Sequence, residues 1–177
     1  MRKKNKQDLK RESLREDLWP GSREEIWDPT DTEKTVGFAT VSRLLPLVNH
    51  LIRLLCKQKN IPGDPTAAYL DLWCRDWGQG IISVGDENDF AYSSGYASTR
   101  ALRTWREHVA LLSDLGFVRV KKDGNKEVGQ VLLLNPLAVC VEHHAGRRVP
   151  EGWWSAFVRR AKEIGATLPN GHNESTE

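Results

Sequence analysis

Between Asp89 and Asn135 the chain reads DFAYSSGYASTRALRTWREHVALLSDLGFVRVKKDGNKEVGQVLLLN, and no other stretch limits the fold as tightly. Residues Asp86 to Ser94 suit one short helix, with Phe90 and Ala91 as its apolar contacts. Gly95 then supplies a residue tolerant of positive φ where a tight turn needs one. Ser98 or Thr99 is placed to cap a second helix that runs to about Leu115. Leu102, Trp105, Val109 and Leu112 recur at the spacing of a single buried face, and Arg100, Arg103, Thr104 and Glu107 lie opposite. Leu111 falls outside the buried stripe and needs cover, from the C-terminal helix or from another subunit. Gly116 ends the helix. Phe117 to Lys121 reads as a strand, Lys122 to Glu127 as a polar loop around Asp123-Gly124, and Gln130 to Leu134 as the returning strand.

Short helix, glycine turn, long helix and hairpin follow one another in the order of a winged helix-turn-helix. The fold class expected is therefore mainly α with a small β-hairpin wing, with additional helices on both sides. Such a helix offers its N-terminal half to the major groove, where Arg pairs with guanine O6 and N7. Arg100, Arg103 and Thr104 are the expected readers of base edges, with Ser98 and Thr99 at the helix start, where phosphate is favoured. Lys121, Lys122, Asn125 and Lys126 fall on the wing, in position for backbone contacts. Ser98 to Gln130 holds seven basic and four acidic residues, whereas Thr66 to Tyr96 holds one basic and five acidic. That polarity would turn the acidic edge away from a duplex. Glu107 and Asp123 oppose it, since both lie on the proposed contact surface.

The string GYASTRALRTWREHVALLSDLGFVRV resembles the winged helices of bacterial transcription regulators and plasmid replication initiators. A wider resemblance, to a group of bacterial proteins often encoded on mobile elements, spans residues 36 to 166. It is carried by Gly37-Phe-Ala-Thr-Val-Ser-Arg-Leu-Leu-Pro, Leu72-Trp-Cys-Arg, Thr99-Arg-Ala-Leu-Arg-Thr-Trp and Leu132-Leu-Leu-Asn-Pro. The resemblance implies a fold and brings no specific activity. The residues of the helix and wing lead instead to the expectation of double-stranded DNA as partner, bound by a homodimer acting in transcriptional or replication control of a bacterial mobile element. The alternative is a winged-helix module that binds proteins without touching DNA.

The flanks divide the rest of the chain. Residues 1–33 read as a flexible charged arm, basic up to Asp17 and acidic from Leu18, with Pro20, Gly21 and Pro29 against helix formation. Residues 34–167 form the expected domain and residues 168–177 a polar tail. Pro46 suits the first turn of a helix towards Lys59, whose apolar stripe is wide enough to be sandwiched in the core or shared with a second subunit. A helix from Thr66 to Trp77 places Tyr69, Trp73 and Trp77 as core anchors, followed by a strand at Ile81 to Val84. Asn135-Pro136 opens another helix ending near His143-His144, where histidines suit the helix dipole. Trp153, Phe157, Ala161 and Ile164 stripe a last helix from Glu151 to Ile164. A protein partner would dock on the arm, on the wide apolar helix or on this tryptophan-bearing one. Arg147, Arg148, Arg159 and Arg160 suit a solvated face or added phosphate contacts.

Composition narrows function mostly by exclusion. The formal net charge is only +2, so local charge must carry any nucleic-acid argument. Cys56, Cys74 and Cys140 stand far apart, which suggests reduced thiols in a cytoplasm rather than disulfides or a zinc site. No phosphate loop, metalloprotease motif or nucleophile elbow occurs, and no signal peptide or membrane span is expected. The expectation is a cytoplasmic protein that is not an enzyme, with no cofactor and no metal.

Overall fold

The computed structural model describes residues 6–22 and 39–169. The chain separates into two units, residues 1–38 and 39–177. In the first, Lys6 to Leu18 form helix α1. The charged arm expected over residues 1–33 thus contains a helix in its first half, because Lys, Gln, Leu, Arg and Glu are strong helix formers. Beyond it Gly21 turns the chain at φ +76° and donates its N–H to Glu16 Oε1 at 2.9 Å. The rest of the arm, residues 1–5 and 23–33, lies outside the described residues, as does the tail beyond residue 169.

The second unit is mainly helical with a small three-stranded antiparallel sheet. Its order is α2 (Leu45–Gln58), α3 (Thr66–Arg75), β1 (Ile81–Ser83), α4 (Glu87–Ser93), α5 (Ala101–Asp114), β2 (Val118–Asp123), β3 (Lys126–Leu133), α6 (Pro136–Ala145) and α7 (Glu151–Glu163). Pro46 sits in the first turn of α2, where its missing N–H costs nothing. Val48, Leu51 and Ile52 of α2 are wholly buried, and α3 and α6 pack against the helix. The α7 indole of Trp153 donates to the Leu47 carbonyl at 3.1 Å. The wide apolar stripe is therefore spent inside one chain, each buried aliphatic side chain stabilising by about 1.5–3 kcal/mol.

Helix α3 ends two residues earlier than its aromatic spacing predicts. Asp76 is the cause: its carboxylate accepts the N–H groups of Gln79 at 3.2 Å and Gly80 at 2.8 Å. A short acid that bonds the following backbone competes with the helix. Tyr69 stays fully buried and Trp73 half-buried, but Trp77 is 92% exposed and anchors nothing.

The sheet has strand order β1-β3-β2. Ile82, Val131 and Val120 align across it on the inner face, and Ile81, Leu132 and Arg119 align on the outer one. The hairpin is tighter than expected. Asp123 pairs with Lys126, so only Gly124 and Asn125 turn the chain, and a bulge lies between Lys121 and Asp123. Gly129 makes that bulge possible, since a Cβ there would lie 2.2 Å from Asp123 Cβ and 2.6 Å from its backbone nitrogen.

Two further expectations change. Leu168 is buried, so the core extends past the point where the tail was placed. His143 is no exposed charge at the end of α6: its Nε2–H donates to the Leu115 carbonyl at 2.8 Å, and the ring stacks on Phe117. Burial holds His143 below the usual imidazole value. It thereby satisfies a carbonyl at the end of α5 rather than the dipole of α6. His144 lies flat on Trp154, with ring centroids 3.8 Å apart.

Candidate nucleic-acid interface

Helix α5 is aimed by three local devices. Asp86 caps α4 by accepting the Asn88 N–H at 2.8 Å. Gly95, at φ +86°, makes the turn, and the Tyr96 N–H closes it on the Ala91 carbonyl at 3.0 Å. At the far end Gly116 takes φ +83° while Gly116 and Phe117 donate to the Ser113 and Leu112 carbonyls, a paired C-terminal cap.

The start of α5 differs from the expected cap. The helix begins at Ala101, with Arg100 at the cap position and no side-chain cap bond. Ser98 instead bends the entry, its hydroxyl accepting from the Arg100 N–H at 3.2 Å and its carbonyl from the Ala101 N–H at 2.9 Å. The first turn carries no acidic residue.

Trp105, Val109 and Leu112 are fully buried, and Leu102 is half-buried against the same core. Leu111 is buried as well, covered within the single chain. His108, unassigned from sequence, is also inside. Its Nδ1 meets the Tyr96 hydroxyl at 2.6 Å, which ties the turn to the helix. Burial lowers the affinity of His108 for a proton and pushes the Tyr96 phenol up to about 12.

On the outer side Ser98, Thr99, Arg100 and Arg103 are exposed and Thr104 is half-buried. Arg103 Nε donates to Glu107 Oε1 at 2.7 Å, one turn along. Arg106 does something else. Its Nε donates to Glu87 Oε1 at 3.0 Å, and its Nη2 pairs with Glu87 Oε2. Glu87 Oε1 also accepts the Val128 N–H at 3.0 Å, so one carboxylate joins α4, α5 and β3. Burial works to raise the Glu87 value, but the bonds from Arg106 and Val128 and the charges of Arg106 and Lys126 hold it below the usual range. No spacing in the sequence links positions 87, 106 and 128, and this lock was not foreseen.

The hairpin basic residues divide in the same way. Lys121, Lys122 and Asn125 are exposed, with Lys122 paired to Glu127. Lys126 is half-buried, and its ammonium donates to the Val84 carbonyl at 2.8 Å. It fastens the hairpin to the end of β1 instead of standing free for phosphate. A groove of about 390 Å³ runs between α5 and the hairpin, bordered by Arg106, Glu107, Ala110 and Asp114 on one side and Val120 and Glu127 on the other. Glu107, Asp114 and Glu127 line this groove, and the one arginine that lines it, Arg106, is held by Glu87.

Among the described residues no group of three His, Cys, Asp or Glu side chains could hold a metal ion, and no helix is long and apolar enough to cross a membrane. Cys56 and Cys140 are buried and Cys74 is exposed. The chain matches no model of a known protein family, no curated protein and no solved structure.

Proposed function

We propose that residues 81–133 form a winged helix-turn-helix and that the protein binds double-stranded DNA sequence-specifically. The observation that carries this reading is the combination of the Gly95 turn, the outward N-terminal half of α5, and β1 added to the hairpin in the order β1-β3-β2. Arg100, Arg103 and Thr104 read base edges in the major groove. Lys121 and Lys122 hold phosphates, with Asn125 at the wing tip, and Ser98 and Thr99 meet phosphate at the uncapped helix start. A homodimer on a palindromic site, serving transcriptional or replication control of a bacterial mobile element in the cytoplasm, completes the proposal.

A fluorescence anisotropy titration with random duplex at about 50 mM salt tests it, because phosphate contacts dominate affinity at low salt. Saturable binding that weakens with salt is expected; no binding would leave the protein-interaction reading. That second reading draws on Trp77, Ile81 and Leu132, which are exposed, the last two facing each other across the outer side of the sheet. The apolar faces of α2 and α7 do not serve it, since both are buried within the chain.

A further inference from the structure

Glu107 looks like a fault in a DNA-binding surface, a carboxylate pointed at phosphates. Its geometry gives it a use. The ion pair with Arg103 engages the guanidinium through Nε–H and the carboxylate through Oε1. Among the described residues the two terminal NH₂ groups of Arg103 and Oε2 of Glu107 make no other hydrogen bond, and the two side chains are 77% and 57% exposed. The pair therefore presents outward two donors beside one acceptor, prealigned by its own internal bond.

The major-groove edge of a G·C pair shows two acceptors, guanine N7 and O6, followed by one donor, the cytosine N4 amine. An A·T pair shows an acceptor, a donor, an acceptor and a methyl group. Two donors followed by an acceptor complement the first pattern and clash with the second, where the carboxylate would meet thymine O4 or its methyl group. We propose that Arg103 and Glu107 act as one reading head for guanine and cytosine, Arg103 on guanine O6 and N7 and Glu107 on cytosine N4. Glu107 is then a specificity-determining residue: it rejects bases that offer an acceptor where cytosine offers an amine. Exchange of one Glu107 oxygen from water to N4 leaves the Arg103 bond in place, so the head does not have to break to bind.

This inference rests on the DNA-binding reading, and one experiment separates their failures. Selection from a random duplex library is run in parallel on the wild type, Arg103→Ala, Glu107→Ala and Glu107→Gln, with thermal denaturation confirming that each variant folds. The wild type is expected to recover sites with a fixed guanine and cytosine. Glu107→Ala should reduce the preference for that G·C pair over A·T on the order of tenfold. Glu107→Gln, whose amide can accept from cytosine N4 or donate to thymine O4, should lose discrimination between G·C and A·T at that pair in the same way. Arg103→Ala should remove the preference for that pair altogether. If Glu107→Ala binds every duplex more tightly by the same factor, Glu107 is only a repulsive charge and the reading head is overturned while DNA binding stands. A wild type that binds without any fixed G·C pair overturns it equally. A wild type that binds no duplex removes the DNA-binding reading itself.

Discussion

Arg103 and Arg106 stand three residues apart on one helix, and each is paired with a glutamate, yet the two pairs have opposite characters. The Arg103 pair stays within α5 and both side chains are mostly in water. The Arg106 pair leaves the helix to reach Glu87 on α4, whose side chain is only 6% exposed and also holds the backbone of β3. A surface pair contributes little to stability and can trade partners, whereas a buried charge stripped of its partner is costly. The basic face of α5 is thus two surfaces: one arginine fixes the hairpin to the helix and the other remains available.

Arg106→Ala should break that distinction most severely. It leaves the Glu87 carboxylate inside with the Val128 N–H as its remaining hydrogen-bond donor. We expect a loss of about 3 kcal/mol in urea denaturation, below the top of the range for buried pairs because Arg106 is partly exposed. Arg103→Ala should leave the denaturation midpoint where it is. Equal midpoint shifts for the two variants would erase the contrast. Glu87→Leu combined with Arg106→Met should regain only part of the lost stability, since it removes the stranded charge but leaves the buried Val128 N–H without its acceptor.

Gly129→Ala comes next and tests the same lock from the hairpin side. The added methyl would meet the Asp123 backbone, which cannot step aside as a flexible side chain does. A loss of about 2 kcal/mol is expected, with faster amide exchange concentrated in β2 and β3. Gly124→Ala has open space and strains only φ, at +55°, so it should cost about 1 kcal/mol. If Gly124→Ala proved the more damaging, the bulge would not be what positions the hairpin.

These contacts show where sequence was informative. Short-range signals were legible: Gly95 and Gly116 at positive φ, Asp86 before α4, Pro46 in α2, and the Trp105, Val109 and Leu112 stripe all follow from local sterics and period. Each involves residues within a few positions of one another. The misses share a different cause. Asp76 ended α3 with a side-chain bond that outcompeted the aromatic period, and exposed Trp77 followed from that. Glu87, Lys126 and His143 are tied to partners 19, 42 and 28 residues away, and no periodicity encodes such distances. Lys126 and His143 were read by their charge type, whereas their roles are set by what the fold brings beside them.

Acid should separate the buried groups in two steps. His108 and His143 have folded values below the ordinary 6.5, so the unfolded chain binds their protons first. Stability is then fully present above that value and is lost as pH falls through the lower folded values. Glu87 follows the same sign at lower pH: its contribution is complete above its ordinary 4.5 and disappears as pH drops through its depressed folded value. Denaturation midpoints measured from pH 8 down to pH 3 (roughly the span these groups cover) should fall first near neutrality and again in acid. His143→Gln should soften the first fall alone, and Glu87→Gln the second alone. A single fall untouched by either variant would remove His143 and Glu87 as its cause.

The smallest effects lie on the hairpin, where Lys122 and Lys126 repeat the contrast between the two arginines. Lys122 is 71% exposed and its pairing with Glu127 is a surface one, so its ammonium can turn to a phosphate. Lys122→Ala should weaken every duplex alike and flatten the slope of log affinity against log salt by about one, without moving the denaturation midpoint. Lys126→Ala should do the reverse. Its ammonium is committed to the Val84 carbonyl, so removal costs about 1 kcal/mol of stability and leaves the salt slope unchanged. Should Lys126→Ala flatten the slope as Lys122→Ala does, its bond to Val84 must open when DNA arrives. The hairpin would then belong wholly to the binding surface, and only Arg106 would separate scaffold from interface.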